Sequence, residues 1–119
     1  MRYRVMNLTR NTLLADQASR ADTFMERFKG LMGVEDLALG HGLQIAPCTS
    51  IHTFFMKIPI DALFLDASLQ IVDVCHAMAP WRVSRVYFEA KSVLELPAGT
   101  AAASKTVAGD RLSFEPVSP

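Results

Sequence analysis

Cysteine and tryptophan are nearly missing from this 119-residue sequence, with two of the first and one of the second, and neither charge is in excess. Twelve basic and twelve acidic residues leave no global field to draw the chain to nucleic acid or to an anionic membrane. Arg82, Arg85 and Lys91 form a local basic stretch that reads as a solvated face. No uninterrupted apolar run exceeds four residues, which excludes a membrane-spanning helix. The opening "MRYRVMNLTRNT" is basic but lacks the apolar core of a secretion signal, so a cytoplasmic location is expected. There Cys48 and Cys75 are expected to remain thiols, whereas export would favour a disulfide between them.

Half of the residues are apolar and a fifth are charged, the make-up of a globular chain. The length suits one domain, residues 1–119, around one core. Such a domain buries roughly two-thirds of the surface its unfolded chain exposes. No linker, repeat or low-complexity segment interrupts it.

"YRVMNL-TRNT-LLAD" reads as a hairpin around a polar turn. "ADTFMERFKGLMG" reads as a helix, capped by Asp22 or Thr23, with Phe24, Phe28 and Leu31 on one stripe and Gly30 or Gly33 ending it. A strand is expected at Leu43–Ala46, and another in "SIHTFFM", rich in β-branched and aromatic residues between Pro47 and Pro59. "IDALFLD", "QIVDVCHAM", "SVLELPAG" and "RLSFEP" complete the strands, with one helical turn in "TAAASK". Many short strands and one main helix predict an α+β fold. Its sheet should be small, strongly curled and mostly antiparallel, tending to a barrel, since one short helix cannot cover a flat sheet of six or more strands.

Four motifs in order, "RFKGLMG", "HTFFMKIPIDALFLD", "VLELPAG" and "AGD", resemble the bacterial and archaeal family catalogued as domain of unknown function 192. The resemblance spans about residues 5–115. Many members carry Trp where Phe55 stands, and often Asn-Thr after the lysine, where this chain runs directly into Ile58-Pro59. The resemblance implies a small β-rich, barrel-like fold and no established activity.

The polar residues of "PCTSIHTFFMKIPIDALFLD" carry the functional question. Cys48 and His52 have the spacing of two metal ligands on a helix, but the local residues favour extended chain. There four residues span roughly 13 Å, too far for one ion. Cys75 and His76 are neighbours and would point to opposite faces of a strand. No metal site is therefore expected. Cys48, His52 and Asp61 are the residue types of a thiol triad, and Ser50 with His52 offers a hydroxyl version, but no glycine-rich oxyanion loop stands beside either nucleophile.

Asp61 lies in a strand with both faces apolar, so a buried carboxylate with a partner is expected, the candidates being Lys57 and Arg27. Glu95 repeats the pattern between Leu94 and Leu96, either as a second pocket carboxylate or as an exposed residue of an edge strand. Strand alternation would place His52, Phe54 and Met56 on one face and Thr53, Phe55 and Lys57 on the other. Trp81 either caps a pocket or closes a strand end. The leading expectation is a domain that binds a small polar molecule beside the Phe54–Asp61 segment, through Asp61, Lys57, His52, Arg27, Glu95, Phe55 and Met56. The alternatives are an enzyme using Asp61 or His52 as acid or base and a protein-interaction module. No cofactor is indicated.

Overall fold

Seven strands hydrogen-bond into one curled sheet, described by a computed structural model for residues 1–21, 23, 26 and 30–117. They are β1 (Tyr3–Asn7), β2 (Thr12–Ala21), β3 (His41–Ile45), β4 (Ile60–Leu65), β5 (Ile71–Met78), β6 (Ser92–Pro97) and β7 (Leu112–Pro116). A single-turn helix, α1 (Thr100–Ala103), follows β6. The strand order is β5-β4-β6-β3-β2-β1-β7, antiparallel throughout except for β2 beside β3. This is the mostly antiparallel, strongly curled sheet that the strand pattern predicts.

The curl brings the two outer strands together at one end. Gln70 bridges Arg111, Ile71 N–H donates to the Asp110 carbonyl (2.8 Å), and Leu112 N–H donates to the Leu69 carbonyl (2.9 Å). Asn7 Nδ2 reinforces the closure, donating to Asp110 Oδ2 and Thr106 Oγ1, each at 3.0 Å. A half-barrel results, with its edges partly paired.

Each face of the sheet carries its own apolar cluster. Val5, Leu14, Leu63, Leu65, Leu94, Leu96, Ala101 and Leu112 pack on one face, beneath α1. Ile60, Ala62, Phe64 and Val93 pack on the other, under Leu31, Ile51, Met56 and Ala90 from the connecting segments. Because β4 and β6 are covered on both sides, all six residues of each are buried, which explains their nearly continuous apolar sequence.

One expectation changes here, and a second falls partly outside the described residues. Residues 51–57 form a turn-containing loop and not a strand, with His52 making a lone bridge to Val83. Phe55 adopts a left-handed backbone (φ 64°), and Met56 N–H turns back to the Thr53 carbonyl at 3.2 Å. β-branched and aromatic residues suit any half-buried surface, and here the loop packs on a sheet without joining it. Thr53 and Met56 are accordingly buried, while His52, Phe54, Phe55 and Lys57 are exposed.

The second concerns the helix expected before β3. Its start is seen at Thr23 and Glu26, whose side chains cap each other's backbone N–H reciprocally at 3.2 Å. Gly30 and Gly33 both take positive φ, as helix-ending glycines do. Asp22, Phe24, Arg27 and Phe28 lie outside the described residues.

Candidate functional site

Asp61 is fully buried in β4, as expected, but its partners are neither Lys57 nor any other cation among the described residues. Three backbone N–H groups satisfy its carboxylate: Ala77 on Oδ1 at 2.8 Å, and Gly99 and Ala101 on Oδ2 at 3.1 and 2.9 Å. The first comes from an irregularity in β5, where register slips between the pairs Ile60–Met78 and Ala62–Cys75. Ala77 takes a positive φ there, and its N–H has no place in the ladder. The other two belong to the start of α1, where Gly99 supplies no capping side chain. Asp61 caps that turn from a strand 38 residues earlier. Its role is to hold a bulge and a turn together.

Lys57 extends along the surface to Glu35, 3.0 Å away, with both side chains exposed. The expected Lys57–Asp61 pair is not formed. Arg27, the other expected partner, lies outside the described residues.

Glu95 presents the opposite case. It stands in β6 between β4 and β3, so the edge-strand alternative is excluded, and it is only 2% exposed. Its pairing with Ala62 and Leu43 places it on the face covered by the 47–57 loop. Oε1 has no hydrogen-bond partner among the described residues. Burial alone pushes this carboxyl up to about 8. The partner expected of a buried carboxyl is found at Asp61 and is missing, among the described residues, at Glu95 Oε1.

A cleft of about 130 Å³ opens over Glu95. Ile45 of β3 forms one wall, Gly30, Leu31 and Met32 a second, and Pro47, Cys48, Ser50, Ile51, His52 and Met56 the rest. The structure thus brings together three of the expected site residues, His52, Met56 and Glu95, and adds Cys48 and Ser50. It leaves out Asp61, on the other face, along with Lys57 and Phe55. Phe55 instead packs against Trp81 (ring centroids 4.8 Å apart), in an exposed row with Phe54 and His52. Trp81 stands outside the cleft and does not cap it.

The cleft's other polar groups are already engaged. The Cys48 thiol donates to the Ser50 carbonyl at 3.0 Å, Ser50 Oγ meets Ser84 Oγ at 3.3 Å, and His52 Nδ1 accepts the Phe54 N–H at 3.3 Å. His52 Nδ1 is thus bonded to a backbone amide and to no nucleophile. With Asp61 on the far face, the three triad residue types are not one constellation. Among the described residues no three His, Cys, Asp or Glu side chains gather as metal ligands. No helix there is long and apolar enough to cross a membrane.

The matching family model, described as "Uncharacterized ACR, COG1430" (DUF192), covers residues 6–114. The chain belongs to the DUF192 family. A UPF0127 protein of Thermococcus sibiricus is 33% identical over 115 residues, covering 93% of this chain and 74% of that one. The UPF0127 protein PH1112 of Pyrococcus horikoshii is 31% identical over 113 residues, 92% of this chain and 97% of its own. Two crystal structures share the DUF192 fold seen here. A protein of unknown function from Novosphingobium aromaticivorans superposes with a TM-score of 0.82 at 20% identity, over 95% of this chain and 84% of that one. A putative transcription regulator from Sinorhizobium meliloti superposes with a TM-score of 0.80 at 24% identity, over 95% and 92%. At these identities the likeness establishes the DUF192 architecture and not a shared activity.

Proposed function

We propose that this domain binds a small polar molecule in the cleft over β6, with Glu95 as the polar anchor, Met56 as an apolar wall and His52 at the rim. One observation carries the reading: a buried carboxyl whose Oε1 has no partner among the described residues opens onto a cleft. Leaving such a group unsatisfied costs about 1–3 kcal/mol or more, and a ligand that bonds to it recovers that cost. A space of about 130 Å³ is smaller than the roughly 300 Å³ at which drug-sized sites begin, so the ligand is compact. Binding is favoured over catalysis because the thiol, the hydroxyl and the imidazole Nδ1 bond to other groups and form no base–nucleophile pair among the described residues. The proposed compartment is the cytoplasm, in keeping with two cysteines that form no disulfide.

The test uses methyl-labelled methionines in the full chain. Small fragments should shift the Met32 and Met56 methyl resonances, and Glu95→Leu should remove the response. No shift from any fragment, or shifts that persist in E95L, would refute the reading.

A further inference from the structure

The chemistry of the cleft narrows the ligand further. Among the described residues Glu95 is its only acidic group. Cys48 and His52, both from the 47–57 loop, are the other titratable groups facing it among the described residues; β3 and residues 30–32 contribute Ile45, Gly30, Leu31 and Met32, none of them charged. Three of the loop's hydrogen-bond donors are directed elsewhere, the Cys48 thiol to a carbonyl, the Phe54 N–H to His52, and the Ser50 hydroxyl into contact with Ser84, while the His52 ring keeps its Nε2–H at the rim. Deeper in the cleft, what remains open among the described residues is acceptor capacity, in a buried carboxyl and in the sulfur atoms of Met32 and Met56. An anionic ligand would meet a carboxyl beside which no cation stands among the described residues. A ligand rich in donors and carrying a positive charge would meet its complement.

We propose that the cleft takes a compact primary amine, bound as its ammonium ion against the Glu95 carboxylate. The assignment rests on the cleft being a binding site, as argued above. The space is well above the roughly 10–15 Å³ that one water needs, and leaves room for an amine with a short aliphatic chain lying along Ile45, Ile51 and Met56. A quaternary ammonium has no N–H to donate to the carboxylate.

Proton balance gives the proposal its own signature. Below about pH 8 the empty site holds a protonated Glu95, so binding the ammonium ion expels one proton. An alkylammonium, with a pKa near that of lysine at about 10.4, stays charged over this range. Affinity should therefore rise about tenfold per pH unit from pH 6 to pH 8 and level off above.

The experiment titrates full-length protein with n-propylammonium chloride, n-propanol and sodium propionate. It follows the Met32 and Met56 methyls together with the Glu95 side-chain carboxyl by carbon NMR. Propylammonium should bind at least tenfold more tightly than either isostere, lower the Glu95 midpoint by a unit or more, and lose at least tenfold in affinity in Glu95→Gln. Equal binding of propanol would overturn the amine while leaving the binding site intact. Silence from all three probes, with other fragments still shifting the methyls, would also sink the amine alone. An empty-state Glu95 midpoint below pH 5 that rises in Arg27→Ala would show that the chain supplies its own cation, and the proposal would fail.

Discussion

Asp61 and Glu95 are buried carboxyls on adjacent strands that point to opposite faces of the same sheet. Asp61 lies opposite Leu96, and Glu95 lies opposite Ala62. The first is saturated by three amide hydrogens, and Oε1 of the second has none among the described residues. That difference separates a carboxylate bound into the fold from one with an open oxygen among the described residues.

Asp61→Asn should destabilise the fold strongly. The amide keeps one acceptor oxygen but sets an NH₂ group against backbone N–H donors. Hydrogen bonds to a charged group are worth about 1.5–3 kcal/mol each, so a loss of roughly 3–5 kcal/mol is expected. Thermal unfolding should shift down by about 10 °C or more. A shift under 3 °C would show that the amides find other acceptors.

Glu95 should make the protein less stable as pH rises. Its folded-state pKa, about 8, lies above the ordinary value of 4.5, so the folded state holds the proton more tightly than the unfolded chain. The stabilisation is fully present below about pH 4.5 and is lost as pH climbs to about 8, at up to about 1.4 kcal/mol per pH unit. Glu95→Gln, neutral at every pH, should flatten this part of the profile. Urea unfolding of both proteins at pH 5, 6.5 and 8 decides the matter, and parallel profiles would count against a titrating Glu95.

Thr53→Val tests what positions the exposed aromatic row. Thr53 is fully buried, its Oγ1 donating to the Ala79 carbonyl at 2.7 Å and accepting the Arg82 N–H at 2.8 Å. Valine keeps the shape and orphans both backbone groups, at a cost of about 1–3 kcal/mol each. Melting should drop by several degrees. Trp81, the sole tryptophan, should become more accessible to iodide quenching as it leaves Phe54 and Phe55. Unchanged quenching would mean that other contacts hold the loop.

Gly42→Ala should damage the middle of the sheet without touching the cleft's polar groups. An added Cβ would stand 2.9 Å from Leu96 Cδ2 and 3.2 Å from the Glu95 carbonyl oxygen. Leu96 is packed in the core and has little room to yield, so a cost of about 1–3 kcal/mol is expected by chemical denaturation. A neutral result would show that β3 and β6 separate easily.

Most strands were legible because their apolar runs and turn residues are local signals. The 51–57 loop misled because Ile51, Thr53 and Phe54 have strand-like composition, while the left-handed Phe55 that breaks the strand leaves no mark on that pattern. Burial of Asp61 could be read from the apolar residues around it. Its partners could not, since Ala77, Gly99 and Ala101 act through backbone N–H groups that every sequence carries. Alternation assigns faces within one strand, but the register between β4 and β6 decides whether Asp61 and Glu95 share a face. That register is a long-range property, and so the two carboxyls looked alike.

The closure of the half-barrel also bears on how the chain is made. β1 pairs with β7, and Asn7 bonds to Asp110, 103 residues further on. During synthesis β1 and β2 emerge early, but the outer edge of β1 has no neighbour until β7 leaves the ribosome. At about 5–20 residues per second that interval is roughly 5–20 s. An open strand edge exposed for that long is a template for pairing with other nascent chains. Expression yield should therefore respond to translation speed and to chaperone supply more steeply than the melting temperature of the finished protein would suggest.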